Sequence, residues 1–325
     1  MLPIKTLHSF EQLKLLADGR RQRILKLLMA APASLSMLGE SLGQHPARIR
    51  HHLKALEAAG LVELVETRIR SGVVEKFYRA CASGWLLQEL ILPDDPRHPT
   101  VVFSGSHDLA VELLAGQLAD SCTLLTLPVG SLDGLVNLRQ NLCHLSGAHL
   151  LDPGGEYNRP FVNHLFPDRR MQLITLAHRE QGLMAAPGNP KSIRGLDDLT
   201  RPDIRIVNRN PGSGTRLWLE RALQELGIPA SAVRGFDAAV HTHTACARQV
   251  ASGQADAAIG LRAAASQSGL HFIPLFHERY DLVSSPEQQG LLAPLFEALQ
   301  AGSFRRSVEG LAGYHTAHTG ETIPL

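Results

Sequence analysis

The sequence predicts two folded parts of different class: an α+β domain of helices closed by a hairpin, then a larger α/β domain. Three observations predict it. The chain has 325 residues, more than the ~100–200 of one ordinary domain. The stretch Leu92-Pro93-Asp94-Asp95-Pro96-Arg97-His98-Pro99 puts three prolines into eight positions, poor material for a helix or strand and good material for a linker. Beyond it, short apolar runs alternate with helical ones, the signature of a mostly parallel sheet with helices on both faces. The expected division is a domain at 1–92, a linker at 93–99 and a domain at 100–325.

Composition narrows the class. Hydrophobic residues make up 44% and charged residues 19%, with a formal net charge of +1, which excludes a disordered chain. No apolar run approaches the ~20 residues of a membrane span. Residues 1–16 lack the apolar core and small-residue cleavage site of a signal peptide, so a cytoplasmic protein is expected. Cys81, Cys122, Cys143 and Cys246 form no CxxC pair and read as buried thiols. Residues 1–95 hold 13 Lys+Arg against 10 Asp+Glu, and the remainder 19 against 21. The small net charge therefore averages a mildly basic first third and a slightly acidic remainder.

In the first part, Phe10–Leu16 has the spacing of a short helix. A second, from about Gly19 to Ala30, turns Ile24, Leu25, Leu27 and Leu28 inward and Arg20, Arg21, Arg23 and Lys26 outward, and Pro32 ends it. Ser34 or Ser36 can cap the next helix, which carries Leu38 and Leu42 and stops near Gly43. Pro46 opens another helix as a first-turn proline. It places Ile49, Leu53 and Leu56 inward, Arg48, Arg50, His51 and Lys54 outward, and ends at Gly60. Two strands follow, Leu61–Glu66 and Val73–Tyr78, joined by the basic turn Thr67–Gly72. This is the element order of a winged helix-turn-helix. Its exposed basic helix fits the major groove of double-stranded DNA, and the hairpin tip fits the adjacent backbone. A solvated helix face is the alternative. The full element order with a basic wing favours DNA contact through Arg48, Arg50, His51, Lys54, Arg68 and Arg70.

This stretch resembles the ArsR-type winged-helix regulators. Residues 16–25, LADGRRQRIL, and 51–62, HHLKALEAAGLV, carry the resemblance over about residues 10–80. It implies a homodimer on a pseudo-palindromic operator. Metal-sensing members carry a cysteine pair in the helix before the recognition helix. Residues 35–42 contain none, so the sensor is expected elsewhere.

In the second part, the expected strands Val101–Phe103, Cys122–Leu127 and Asp203–Asn208 lead through Gly/Ser loops into the helices Leu109–Leu118, Leu132–Leu142 and Leu217–Leu226. Ligands in such sheets sit at the carboxyl ends of strands, against helix N-termini. Residues 209–216, RNPGSGTR, form the richest loop, with two glycines for close approach, Ser213 and Thr215 for hydroxyls, and Arg209 and Arg216 for charge. It is neither a Walker loop nor GxGxxG. A helix cap with exposed arginines is the plainer reading of this loop alone. Three such loops in one domain favour a cleft for an anion or polar ligand.

Residues of about 100–280 resemble the type II periplasmic-binding-protein (PBP-like) domain, in the version fused to helix-turn-helix domains and to molybdopterin-biosynthesis proteins. The motifs are 130–135 (GSLDGL), 149–152 (HLLD) with 155–158 (GEYN), 179–184 (REQGLM), 188–190 (GNP), 207–209 with 212–216 (VNR, GSGTR), Thr242-His243, 251–256 (ASGQAD) and 278–283 (ERYDLV). The resemblance implies an α/β domain of two lobes, 100–182 with 277–325 and 183–276, closing over a small molecule. The chain would cross near Arg179–Met184 and return near Phe276–Leu282. Carried over residue by residue, the cleft would include Ser104, Ser106, Ser131, Tyr157, Asn158, Arg209, Ser213, Thr215, Arg216, Thr242 and Tyr280. Molybdate-binding relatives hold their anion with hydroxyls and backbone N–H groups. The arginines depart from that pattern and leave room for a carboxylate or a phosphorylated ligand.

Of the 16 histidines, His241 and His243 with Cys246 have spacing a soft metal could use. The favoured alternative has Thr242 capping a helix at Ala245–Ala251, with the histidines as polar loop residues. No metal and no cofactor is expected. The tail Gly313–Gly320 reads as mobile. No motif joins Ser213 or Asp256 to a catalytic partner, and Asp256 reads as a turn residue before the strand Ala257–Ile259. The expectation is a regulator that is not an enzyme: it binds DNA and senses a molybdate- or tungstate-type oxyanion. A regulator sensing an organic carboxylate or phosphorylated metabolite, or a molybdenum-cofactor-related enzyme, are the alternatives.

Overall fold

The computed structural model describes residues 3–7, 9–70, 73–87, 90–95, 97–323 and 325, with the side chains of Arg70 and Val73 left out. Ser71 and Gly72 of the expected basic turn, the Arg70 side chain and Pro96 of the expected linker thus lie outside the described residues. The chain divides into two compact units, 1–91 and 92–325. No described helix is long and apolar enough to cross a membrane.

The first unit runs β1 (Ile4–Leu7), α1 (Phe10–Leu16), α2 (Gly19–Ala30), β2 (Ala33–Ser34), α3 (Leu35–Leu42), α4 (Pro46–Ala58), β3 (Val62–Arg70), β4 (Val73–Ala80) and β5 (Gly84–Leu87). Local chemistry sets the breaks. The Asp18 carboxylate accepts the Arg20 N–H at 2.8 Å and caps α2. Ser34, of the two serines expected, caps α3. Gly43 closes α3 in the left-handed region, at φ 61°. Gly39 permits the tight α3–α4 turn, because a Cβ there would stand 2.8 Å from the Gln44 carbonyl oxygen. Ile24, Leu28, Leu38, Ile49, Leu53 and Leu56 form the core. β3 and β4 pair as an antiparallel hairpin, and β2 adds to β4. β1 and β5, which periodicity did not reveal, pair in parallel.

The second unit begins β6 (Thr100–Gly105), α5 (Leu109–Gln117), β7 (Thr123–Pro128), α6 (Ser131–Arg139), β8 (Leu145–Ala148), α7 (Arg159–Leu165) and β9 (Gln172–Ala185). It continues β10 (Ile206–Arg209), α8 (Gly214–Glu225), β11 (Ala239–Val240), α9 (His243–Ala251), β12 (Ala257–Leu261), α10 (Arg262–Gln267) and β13 (His271–Ser284). It closes with α11 (Gln289–Gln300), α12 (Gly302–Glu309), β14 (Tyr314–His315) and β15 (Thr322–Ile323). One curled sheet has the order β11-β10-β12-β9-β13-β8-β6-β7, with β14 and β15 also on β9. β6 with β7 and β8, and β10 with β11 and β12, are parallel, as expected. The centre is not: β9 and β13 run antiparallel from Gln172–Ser284 to Ala185–His271.

These two long strands join the halves. The β12 side pairs with β9 at 181–185, and the β8 side pairs with β13 at 281–284. One core, with Phe103, Leu114, Leu176, Leu282, Leu295 and Phe304, is built mainly on the β6–β8 side and runs on past the crossing. A second, with Ile193, Leu199, Ile206, Leu219 and Ile259, lies within residues 183–259. This is the two-lobed α/β architecture, and residues 177–181 and 276–280 form its hinge.

The expected mobile tail is corrected. β14 and β15 both pair with β9, Tyr314 is 4% exposed, and its hydroxyl donates to Asp108 at 2.7 Å. The tail is short and polar, but the hinge supplies partners for its backbone and for its one aromatic ring.

Candidate functional site

Alternation along β9 and β13 decides what faces the hinge interior. Arg179 lies opposite Glu278, and Gln181 and Tyr280 follow two residues along on their own strands. Arg179 is fully buried. Its Nη1 donates to Asp108 and its Nε to Glu278 at 2.6 Å, while its guanidinium lies 4.3 Å over the Tyr280 ring. Burial works against the charge on Glu278, but Arg179 and then His149 outweigh it and hold its pKa at about 2. An ionised Glu278 accepts the His149 Nδ1–H at 2.7 Å, so His149 Nε2 accepts from the Ser106 hydroxyl at 2.9 Å. Gln181 donates to Glu278 and accepts from Thr215 at 3.0 Å. The Tyr280 hydroxyl donates to the Ser106 carbonyl. Gly147 makes that contact possible, since a Cβ there would stand 2.0 Å from the hydroxyl oxygen.

Arg209 ends β10 beside this network. It is fully buried, and only its Nη2 finds a partner, the His241 carbonyl at 2.9 Å. Its Nε and Nη1 have none among the described residues, and neither has Arg179 Nη2. Burial, reinforced by Arg179, lowers the Arg209 pKa to about 10. An unmet buried donor costs about 1–3 kcal/mol, and more on a charged group. Three such donors on two buried guanidiniums are left without an acceptor among the described residues. Three helix N-termini come to the same region with their positive dipole ends. Ser131 opens α6, Ser213 caps α8 and Thr242 caps α9. The two lobes meet here: the Asn210 side chain donates to Val129 O at 2.6 Å, and Leu132 N donates to Gly212 O at 3.2 Å.

The residues expected from sequence separate into three groups. Ser106, Thr215, Arg209 and Tyr280 belong to the hinge network. Ser104 is buried and accepts from Asn137 at 3.0 Å, and Ser131 accepts the His149 N–H at 3.3 Å. Ser213 and Thr242 cap their helices through Arg216 N and Ala245 N. Asn158 and Arg216 are engaged with protein partners. Asn158 spends its amide on Leu150 N, Ala148 O and Asp281. Arg216 is held by Glu220 at 2.9 Å and Asp237 at 3.4 Å, over the Phe236 ring. Tyr157 lies half-buried with Phe161, Trp218 and Phe276 in the wall of a cleft of about 50 Å³ that reaches His149 and Glu278.

Sequence reasoning missed Arg179, Gln181, Glu278, His149, Asp108 and His243. Arg179 and Gln181, two polar residues at i and i+2 inside an apolar crossing strand, were the available signal. The expectation that the histidines near 241–246 are polar loop residues is corrected for His243, which is fully buried in α9 with neither ring nitrogen partnered among the described residues. Thr242 does cap this helix, which starts two residues earlier than expected. Among the described residues no three His, Cys, Asp or Glu side chains are placed to hold a metal. Cys122, Cys143 and Cys246 are buried and Cys81 half-buried, all as free thiols.

In the first unit Arg48, Arg50, His51 and Lys54 are exposed on α4. Among the described residues no ion pair forms at Arg48, Arg50 or Lys54, whereas His52 turns inward at 9% exposure. Arg50, Lys54 and Lys76 line a groove of about 860 Å³ between α4 and the hairpin. At Arg68, Glu66 takes the Nε at 2.7 Å and the Nη2 at 2.8 Å, and the guanidinium lies 4.4 Å over Phe77.

Residues 112–300 match the PBP superfamily domain. The chain belongs to the PBP superfamily. Residues 18–63 match the arsR family of bacterial regulatory proteins, so an ArsR-type DNA-binding region precedes a ligand-binding PBP-like domain. The uncharacterized protein YvgK of Bacillus subtilis (strain 168) is 39% identical over 228 residues, 69% of this chain and 74% of that one. An uncharacterized protein from the 5′ region of a 2Fe-2S ferredoxin gene of Clostridium pasteurianum is 33% identical over 110 residues, 33% of this chain and 97% of that one. A phosphate-transporter substrate-binding protein of Clostridium perfringens, solved with phosphate bound, shares 12% identity at a TM-score of 0.48, covering 70% of this chain and 99% of that one.

Proposed function

We propose that this protein is a cytoplasmic transcription regulator, not an enzyme, whose PBP-like domain binds a small anion and whose winged helix binds operator DNA as a homodimer. Residues 1–92 serve as the reader and 93–99 as the linker. Residues 100–325 serve as the sensor, with lobes 100–182 plus 277–325 and 183–276. The effector is a tetrahedral oxyanion of the molybdate or tungstate type. The buried Arg209, with two donors unmet at the meeting of three helix N-termini, carries this reading. Ligand shifts the lobes toward the closed form, and that shift changes the presentation of the paired recognition helices.

An organic carboxylate is the second reading. The arrangement at Arg216 counts against it, because Glu220 and Asp237 already hold that guanidinium. Thermal-shift titration decides between the two. Stabilisation by molybdate or tungstate and not by organic acids supports the first, and the reverse sinks it. A salt-dependent gel shift on the protein's own upstream DNA, with and without the oxyanion, tests the regulator itself.

The enzyme reading rests on one arrangement, the hydrogen-bonded chain Ser106–His149–Glu278, which has the order of a serine-hydrolase triad. Three facts favour a structural role. Ser106 is fully buried. Burial and the two arginines keep the His149 pKa below its ordinary value despite Glu278. Arg179 holds the other Glu278 oxygen. Labelling of Ser106 by a fluorophosphonate probe would overturn the non-enzyme assignment.

A further inference from the structure

His243 has the most unusual setting of any ionisable group in the hinge. It is the first residue of α9 and fully buried. Its ring lies against the bare backbone of Gly260, where a Cβ would stand 3.3 Å from Nδ1. After burial, the charged and titratable groups that act on it most strongly are Arg209 from β10, Arg179 from β9, His107 from the β6–α5 loop and His149 beyond β8. The His107 ring centroid is 6.0 Å away. All of these oppose its protonation, and neither imidazole nitrogen has a partner among the described residues. A neutral imidazole so placed leaves one donor and one acceptor unmet.

The charges of the hinge explain why a histidine stands there. Arg179 and Arg209 balance Asp108 and Glu278. A dianion entering beside them is left without full compensation in a dry region, where charge is strongly penalised. Its field also cancels that of the two guanidiniums at His243. Burial, then Arg209, then Arg179 hold His243 neutral. An anion removes the second and third of these causes and turns its own field against the first.

We propose that His243 joins Arg209 and Arg179 in holding the anion, and that it does so as an imidazolium, so that binding takes up one proton. The proton comes from buffer or solvent, and no bond of the anion is made or broken. His149 is excluded from this role because both of its nitrogens already bond, to Glu278 and Ser106. The inference rests on the anion reading above and adds to it that affinity is linked to pH. A group whose pKa rises on binding makes the ligand bind more tightly as pH falls through the interval between its free and bound values.

The test is calorimetric titration of the full chain with sodium molybdate, a probe that stays unprotonated near neutrality. Measured in buffers of differing ionisation enthalpy, wild type takes up at least half a proton per molybdate at about pH 6.5, the ordinary imidazole pKa. Its Kd tightens by up to about ten-fold per pH unit of acidification. His243→Gln keeps a donor and an acceptor but cannot titrate. It binds more weakly, with no proton uptake and a flat pH profile, and circular dichroism confirms its fold. His107→Gln retains the uptake. Molybdate binding to wild type without uptake overturns the inference and leaves the anion reading standing, as does persistent uptake in folded His243→Gln. If the glutamine variant does not fold, the wild-type proton count alone decides. No binding of molybdate or tungstate to wild type overturns the anion reading and the inference together.

Discussion

Replacing Arg179 with Met removes the one cation shared by two buried carboxylates. Asp108 is 2% exposed and Glu278 3%, so neither gains water in exchange. Breaking one buried pair by removing a partner typically destabilises by about 3–5 kcal/mol, because the other charge stays buried. Here one deletion strands two charges, so the loss lies at or above that range. For a domain of this size about 1 kcal/mol moves the midpoint by about 2–4 °C, which places the fall at about 6–20 °C. Methionine keeps much of the side-chain volume, so little of the effect is cavity. Scanning calorimetry of the full chain measures it, following the transition of the 92–325 unit. The triple variant Asp108→Asn, Glu278→Gln, Arg179→Met should regain more than half of the loss, since it removes the charges along with their partner. A single variant within about 2 °C of wild type, or a triple variant no better than the single, refutes the account of the hinge as a charge-matched junction.

Three further outcomes follow from the same structure. Arg48→Ala with Arg50→Ala weakens operator binding and lowers the salt slope by about two, while Arg68→Ala, whose charge Glu66 already takes, changes affinity less than two-fold in a gel shift. Gly147→Ala drives a methyl into the Tyr280 hydroxyl and destabilises by about 1–3 kcal/mol in urea unfolding, whereas Gly155→Ser, which meets no neighbour, shows only the smaller strain of its positive φ. Stability of the 92–325 unit falls on acidification below about pH 6.5. His149 and His243 have folded pKa values depressed by burial. The unfolded chain therefore binds more protons there, and each histidine contributes up to about 1.4 kcal/mol per pH unit. Above that pH the contribution vanishes, and a urea midpoint that is flat from neutrality to about pH 5 refutes it.

Much of the fold was legible because it rests on local signals. The caps Ser34 and Thr242, Pro46 at a first turn, Gly43 past a helix and the alternating hairpin of β3 and β4 are written in neighbouring residues. So is the exposed basic side of α4, opposite the inward Ile49, Leu53 and Leu56. The hinge was legible only as a place where the chain crosses. Arg179, Glu278 and His149 fall in motifs that carry the family resemblance, yet nothing local gives them or Asp108 a role, because what matters is which strand lies opposite. Register between β9 and β13 is a tertiary fact, and it makes a core residue of Arg179. Arg209 stands in a Gly-rich loop whose residue types are visible in sequence. Arg216 is in the same loop, and its pairing with the i+4 glutamate, Glu220, is the kind of local contact that the loop's composition does not reveal. The tail misled because it has few apolar residues: its order comes from β9 and not from its own packing.

The hinge also sets a timetable for synthesis. Glu278 follows Arg179 by 99 residues, and Tyr314 follows Asp108 by 206. At about 5–20 residues per second, a ribosome takes about 5–20 s to supply the first partner and about 10–40 s to supply the second. Over that interval the nascent chain carries charged groups whose final setting is dry and whose partners are not yet all made. The winged helix, whose residues 1–91 form a compact unit of their own, has no such wait. The winged-helix unit is therefore complete in the chain while the strands that build the second unit's hinge are still being made.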